Sequence, residues 1–298
     1  MDGVLLIDKP VGPTSHDVVQ RVRRASGERS IGHTGTLDPR ATGLLVLVVG
    51  RATRLASLLA GADKTYEAVI RLGQRTTTDD ADGEPVGEPA RDLPGAAAIA
   101  AALEAFRGDI DQVPPQHSAK KVGGRKAYDL ARRDRPVDLK PAPVTVRELS
   151  FEGVEDGLVR IRVRASSGFY VRALSRDLGA ALGCGAHLEA LRRTRSGTFD
   201  VADALPLEAA EAAGPALAGR LIPPADALPD LEAVTMTEAG LRRAVHGNPL
   251  APEHLEGRWV PVASTGRPVR VLARDGRLVA LAWSRGGALH PVVVLGYH

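Results

Sequence analysis

The sequence predicts an α+β fold with a smaller all-β unit at its C-terminal end. Three observations carry this. Strand-like apolar runs and amphipathic helical stretches interleave without the regular strand–helix–strand rhythm of a doubly wound sheet. An acidic, Ala/Pro-rich stretch at residues 200–233 interrupts the pattern. Beyond it RWVPV, PVRVLAR, LVALAW and PVVVLG are short apolar runs separated by Gly-rich turns, as in a small barrel or sandwich of about 65 residues. We therefore expect a large unit over residues 1–232 and a small one over 233–298.

The elements follow in chain order. VLLID (4–8) is a short strand ahead of the turn KPVGPTS. Thr14 and Asp17 have the spacing of a capping box, for a helix that buries Val18, Val19 and Val22 and stops at Gly27. LLVLVV (44–49) is continuously apolar, as a strand covered on both faces would be. ATRLASLLAG reads as a short helix ended by Gly61. KTYEAVIRLG alternates, with Tyr66, Ala68, Ile70 and Leu72 on one face. QRTTTDDADGEPVGEP is loop, and residues 95–107 are an alanine-rich helix. VTVRELS and LVRIRVRAS are alternating strands, the second with Arg160, Arg162 and Arg164 on one face. GFYVRALSRDLGAALG reads as a helix ending at Gly183.

Composition narrows the function. The chain is 44% hydrophobic, enough for a sizeable core, but only 3% aromatic, so each tyrosine and tryptophan is scarce. A single cysteine, Cys184, excludes an internal disulfide and any multi-cysteine metal site, and fits a reducing cytoplasm. The start MDGVLLIDKP is no signal peptide, and no apolar stretch reaches membrane-spanning length. The net charge of +3 is unevenly spread. Residues 117–140 hold eight Lys or Arg against three acids, and residues 160–195 hold eight Arg against two. Residues 200–238 hold eight acids against Arg220, and residues 242–298 hold eight Arg against three acids. Such blocks suggest a polyanionic partner.

The stretch GHTGTLDPRATGLL (32–45) contains more than a turn into a strand requires. Asp38 before Pro39 suits a turn, yet an acid on a Gly-rich loop at the edge of a buried strand is also a common way to build a site. Metal binding is disfavoured because His33 and Asp38 lack ligand spacing. No Gly-Lys-Ser/Thr follows Gly32 and Gly35, so the loop is no phosphate loop.

This stretch resembles the signature loop of the TruB family of tRNA pseudouridine synthases, which isomerise uridine 55 in the T arm of tRNA. Four further segments are similar to that family in the same order: LLIDKPVGPTSHDVV (5–19), KTYEAVIRLGQRTTTDDADGE (64–84), SSGFYVRALSRDLG (166–179) and GCGAHLEALRRTRSG (183–197). The resemblance runs from about residue 4 to 200 and implies a pseudouridine synthase fold, with a central mixed, largely antiparallel sheet flanked by helices. The C-terminal segment resembles the family's PUA-like RNA-binding domain in size and place.

The resemblance implies roles. Asp38 matches the family's nucleophile, which must be ionised and is expected to have its pKa held down by a nearby cation. Arg172 matches the arginine that pairs with it. Tyr66 matches the tyrosine that stacks on the flipped base. His33, Tyr170 and Leu191 match further substrate-binding positions, while Lys9 and Pro10 brace the loop. The basic insertion 117–140 resembles a segment that grips the T loop. It departs from the family at His117 and at Lys120–Gly124, and Lys120, Lys121, Arg125 and Lys126 are its candidate backbone contacts. The implied chemistry needs no metal, redox or nucleotide cofactor. The implied partner is tRNA, with no membrane and no obligate protein partner. The short N-terminus and the lack of lysine-rich tails favour a standalone enzyme over the catalytic subunit of an RNA-guided synthase. Retention of Asp38, Tyr66 and Arg172 together argues against a catalytically silent tRNA-folding protein. A chain cut after about residue 230 is expected to remain a soluble catalytic unit.

Overall fold

The structure, a computed structural model, describes residues 1–116, 121–122, 125–126, 139–257 and 266–297; for 121–122 and 125–126 this is backbone only. Ten strands form one sheet: β1 (Gly3–Lys9), β2 (Ile31–His33), β3 (Thr42–Val49), β4 (Lys64–Leu72), β5 (Gly108–Gln112), β6 (Ala142–Glu155), β7 (Leu158–Ala165), β8 (Ala186–Ser196), β9 (Phe199–Asp200) and β10 (Leu205–Pro206). Their order is β10-β1-β3-β8-β4-β7-β6-β5, with β2 added on β3 and β9 on β8. The β1/β10 and β3/β8 pairs are parallel. The other neighbours are antiparallel, so the sheet is mixed and largely antiparallel as expected.

The continuous apolar run of β3 has a direct reason. Leu45, Leu47 and Val49 pack into one core with Leu5, Ile7, Val18, Val19 and Val22. Leu44, Val46 and Val48 pack into another on the opposite face, so neither face is left for polar side chains. Strand β4 alternates because one of its faces, Ala68, Ile70 and Leu72, is core, with Tyr66 at the margin of the same cluster. The first helix is Ser15–Ser26, with Thr14 and Asp17 forming the capping box and Gly27 closing it at φ 74°.

Three differences from the sequence reading have physical causes. The helix at 168–183 begins only at Val171, because Gln112 holds the Tyr170 backbone: Tyr170 N donates to Gln112 Oε1 (2.8 Å), and Gln112 Nε2 donates to Tyr170 O (3.0 Å). The loop after β4 contains a two-residue hairpin, Arg75–Thr76 against Pro85–Val86. The arginines of 160–195 are mostly not a free basic patch. Five pair with acids in ion pairs — Arg160 with Glu155, Arg164 with Glu148, Arg176 with Asp79, Arg192 with Asp8 and Arg195 with Asp200 — and Arg172 pairs with Asp38. Arg193 donates to backbone carbonyls.

The C-terminal residues form a four-stranded sheet, Ala233–Thr235, Val269–Leu272, Leu278–Arg285 and Ala288–Val294, in chain order. A short helix not anticipated from the sequence, Glu238–Ala244, precedes the second strand and is capped by Thr237. RWVPV lies outside the described residues. Leu278, Leu281 and Leu295 from this segment share a core with Val4, Leu6, Leu44, Val46 and Val48, and Ala227 and Leu231 fill the join. The expectation for truncation therefore changes. Cutting after residue 232 uncovers these side chains, each worth about 1.5–3 kcal/mol when fully buried. The truncated protein is expected to melt well below the full chain and to aggregate. A full-chain melt with two separate transitions, the earlier confined to the C-terminal segment, would contradict the shared core.

No helix among the described residues is long and apolar enough to cross a membrane.

Candidate active site

The loop carrying Asp38 is held from both sides. Ser15, first residue of its helix and buried, donates from Oγ to Leu37 O (3.0 Å) and accepts from Leu37 N (2.8 Å). Lys9 is fully buried, and its Nζ donates to Pro10 O (2.9 Å) and Pro39 O (3.1 Å). Gly12 N donates to Pro39 O (2.9 Å), and Ala41 N closes the turn on Asp38 O (3.1 Å). The bracing expected of Lys9 and Pro10 is thus made by the lysine ammonium and by backbone. Gly43 sits at φ 94° where β3 runs beside β8, and a side chain there would meet Arg193 O at 2.3 Å. Glycine at this position lets the loop enter the sheet next to Leu191 and Arg193.

Asp38 faces Arg172 on the first turn of the Val171–Ala181 helix. Arg172 Nε lies 3.0 Å from Asp38 Oδ2, and Nη2 donates to Oδ1 at 3.3 Å, a side-on two-point pair. The guanidinium is buried and has two further partners. Nη1 donates to Thr78 O (3.3 Å), and Nε lies 3.7 Å from Asp80 Oδ2. Asp80 accepts from Thr78 Oγ1 (2.5 Å) and from Asp82 N (3.1 Å). One helical turn on, Arg176 reaches Asp79 Oδ2 (3.1 Å), Asp177 Oδ1 (2.8 Å) and Val113 O (2.9 Å). Asp79 adopts φ 62°, a left-handed conformation that Asp tolerates better than most residues. Two arginines a turn apart thus clamp the two consecutive acids of the Asp79–Gly83 turn.

Electrostatics depart from the expectation in one respect. The cation beside Asp38 is present, but it does not hold the carboxyl below the usual range. Burial raises the pKa of Asp38 and outweighs the lowering by Arg172, and Asp80 raises it further. Lys9 is brought down to about 8, chiefly by burial.

A cavity of about 230 Å³ opens over this pair. Asp38, Arg172, Tyr66, Tyr170 and Leu191 all line it, together with Lys64 and Arg193. Five of the six residues singled out as catalytic or substrate-binding therefore meet in one place, although 134 positions separate Asp38 from Arg172. His33 does not line it; it ends β2 opposite Leu47, one position before Thr34, which does. Leu191 stands on β8, a strand, opposite Ala68 of β4. Lys120 lies outside the described residues. Lys121, Arg125 and Lys126 fall in a two-residue backbone hairpin whose side chains are likewise outside them.

The sequence reading did not single out Asp80, Asp79, Arg176, Lys64 or Arg193. The two acids read as ordinary turn residues, and their partners are more than ninety positions away. Lys64 carried a signal, as a charge at the start of the alternating segment KTYEAVIRLG, whereas Arg193 carried none, because its segment shows no strand pattern in the sequence.

The chain is similar to known proteins over nearly its whole length. Residues 23–171 match the family described as TruB family pseudouridylate synthase, N-terminal domain, and residues 172–227 match the tRNA pseudouridylate synthase B C-terminal domain. The chain is 48% identical over 304 aligned residues to the tRNA pseudouridine synthase B of Thermobifida fusca, covering 98% of each chain. It is 41% identical to the protein of that name from Solibacter usitatus, covering 99% of this chain and all of the other. Among solved structures it is similar to a chain of a Cbf5–Nop10–Gar1 complex, with a TM-score of 0.76 and 28% identity over 98% of this chain and 84% of the other.

Proposed function

Because the chain belongs to the TruB family of pseudouridylate synthases, we propose that it isomerises uridine to pseudouridine in tRNA, at position 55 of the T arm, with Asp38 as nucleophile. The observation that carries this reading is the two-point Asp38–Arg172 pair set in a cavity that Tyr66, Tyr170 and Leu191 also line. The target nucleotide leaves the RNA stack and enters the cavity. The C1′–N1 bond breaks, the uracil turns, and C5 bonds to C1′ while the C5 proton leaves for N1. A carboxylate suits this sequence because it can form a covalent link to the nucleotide and release it. Arg172 fixes the attacking oxygen. Tyr66 stacks on the ring and relays the C5 proton, and Leu191 packs apolar surface against the uracil. His33, next to Thr34 at the cavity, contacts the nucleotide from the rim.

The curated relatives named as tRNA pseudouridine synthases are 41–48% identical over nearly the whole chain, against 28% for the chain from the multiprotein complex. This favours a standalone enzyme, and a tRNA substrate favours the cytoplasm. The test is incubation of unmodified tRNA with the purified protein alone. Mass-silent conversion read by carbodiimide labelling at one uridine of the T arm supports the reading; no labelling anywhere overturns it.

Two further expectations follow. Asp80 raises the Asp38 pKa and anchors Arg172. Asp80→Asn is therefore expected to move the acid limb of the kcat profile to lower pH and to slow the single-turnover rate about tenfold with little change in RNA affinity. An acid limb that stays in place would remove Asp80 from the electrostatics of the site. In the insertion, we propose that Lys120, Lys121, Arg125 and Lys126 contact T-arm phosphates. The quadruple alanine variant is then expected to raise KM and to lower the salt slope of binding by about one unit per lost contact. Equal affinity to the unaltered protein at two salt concentrations would dismiss the clamp.

A further inference from the structure

Resting on the reading of the cavity as the uridine site, we infer that its wall at Gly35, Lys64 and Arg193 is an anion subsite that takes a phosphodiester group flanking the extruded nucleotide. Arg193 is 3% exposed, yet no carboxylate pairs with it among the described residues. Its Nε donates to Leu44 O (2.7 Å) and its Nη2 to Gly35 O (3.1 Å). Its Nη1 has no acceptor among the described residues, and Arg193 belongs to the cavity lining. It lies 3.4 Å from where a side chain on Gly35 would begin, so the absence of that side chain keeps the approach to Nη1 open.

Lys64 supplies the second cation. It is 7% exposed, and its Nζ donates to Ala60 O and Ala62 O, which leaves one of the three ammonium hydrogens unused. Burial and the neighbouring Arg193 bring its pKa down to about 8, as expected of two like charges enclosed together. The charged groups of the lining are Lys64, Arg172 and Arg193 against Asp38, and Asp38 is already matched by Arg172. Asp63 offsets part of the Lys64 charge, but Arg193 has no carboxylate partner among the described residues, and an enclosed cation without a counter-charge is unfavourable unless an anion completes the site. Uracil is neutral. The anionic groups that an extruded uridine brings with it are its two flanking phosphodiesters, and arginine and lysine are the side chains that suit them.

The alternative is that both cations are only struts that tie β3, β4 and the Asp38 loop together. The two readings separate in a binding cycle that alters protein and RNA independently. T-arm hairpins are made with a single uncharged methylphosphonate linkage on the 5′ or the 3′ side of the target uridine. Affinities are measured for the unaltered protein, Gly35→Ala, Lys64→Met and Arg193→Lys. Gly35 is not in left-handed backbone and has only two side-chain atoms within 4 Å, so Gly35→Ala tests the subsite without a demand on folding. For the unaltered protein, one of the two neutral linkages is expected to weaken binding tenfold or more. Gly35→Ala and Lys64→Met are expected to weaken the natural hairpin comparably, and the neutral linkage to cost those variants little more. Losses that multiply, or neutral linkages that cost the unaltered protein nothing, overturn the subsite. Conversion of the natural hairpin by the unaltered protein is scored separately, so failure of the proposed reaction and failure of the subsite give different results.

Discussion

Asp38→Asn is expected to remove turnover, by on the order of 10⁴-fold or more, while the protein folds and binds RNA as before. The carboxylate is the one group in the cavity placed both to attack and to be oriented by Arg172 through two contacts. The amide has the same shape and keeps the neighbours in place, but it cannot serve as a nucleophile. Retention of even a few per cent of the rate would remove Asp38 from that role. Stability offers an independent check. The folded-state pKa of Asp38 is raised by burial and by Asp80. Such an acid costs stability at pH values above its unfolded pKa, in full once the pH exceeds the folded one, and the cost disappears on acidification. The substitution removes that cost, and Arg172 keeps Thr78 O and Asp80 as partners. At neutral pH the melting temperature of the Asp38→Asn protein is therefore expected to equal or exceed that of the parent, as is common when a charge held for function is removed. A lower melting temperature would mean that the ion pair contributes net stability.

Much of this was legible in the sequence because it rests on local patterns. The two-sided apolar run of β3, the Thr14–Asp17 cap and the alternation of β4 and β7 each follow from residue spacing within ten or fifteen positions. The candidate site was legible for a different reason, since the Asp38 loop and the segments around Tyr66, Arg172 and Leu191 resemble one family in order. What the sequence did not disclose is pairing at a distance. The regular alternation of β7 displays Arg160 and Arg164 as basic surface, and only the fold brings Glu155 and Glu148 beside them. The Thr-Thr-Thr-Asp-Asp run has the chemistry of a turn, and nothing nearby shows that Arg172 and Arg176 will close on its acids. The upward direction of the Asp38 pKa shift is hidden in the sequence for the same reason. A cation next to the carboxylate was foreseeable, whereas the cavity walls that crowd water away from it and the second carboxylate beside Arg172 are properties of the assembled site. The join between the two sheets was also hidden. Leu278, Leu281 and Leu295 read as the interior of a separate unit until they are seen against Val4 and Leu6.

Arg172→Met should be the most damaging single change for activity and stability together. The arginine is buried between two carboxylates and a carbonyl, so its loss leaves Asp38 and Asp80 facing one another across an apolar side chain. Removing one partner of a fully buried ion pair costs about 3–5 kcal/mol, most of it from the charge left behind, and the loss here is smaller because the Asp38 side chain is 40% exposed and water screens it. Arg172→Lys is expected to recover part of the stability and little of the rate. An ammonium is a point charge and cannot contact both Asp38 oxygens while reaching Thr78 O. The pH dependence fixes the cause. Without the guanidinium, the attraction that opposes the effect of burial on Asp38 is gone, so its pKa rises further. Its cost is then largest at neutral pH and shrinks as the pH falls through the raised pKa, because the folded state takes up the proton first. Urea unfolding of the parent and of Arg172→Met at about pH 7 and about pH 5 measures this directly. The gap between the two proteins is expected to narrow at the lower pH. A gap that stays constant would assign the loss to packing around the missing side chain, and one that widens would reverse the sign of the electrostatic argument.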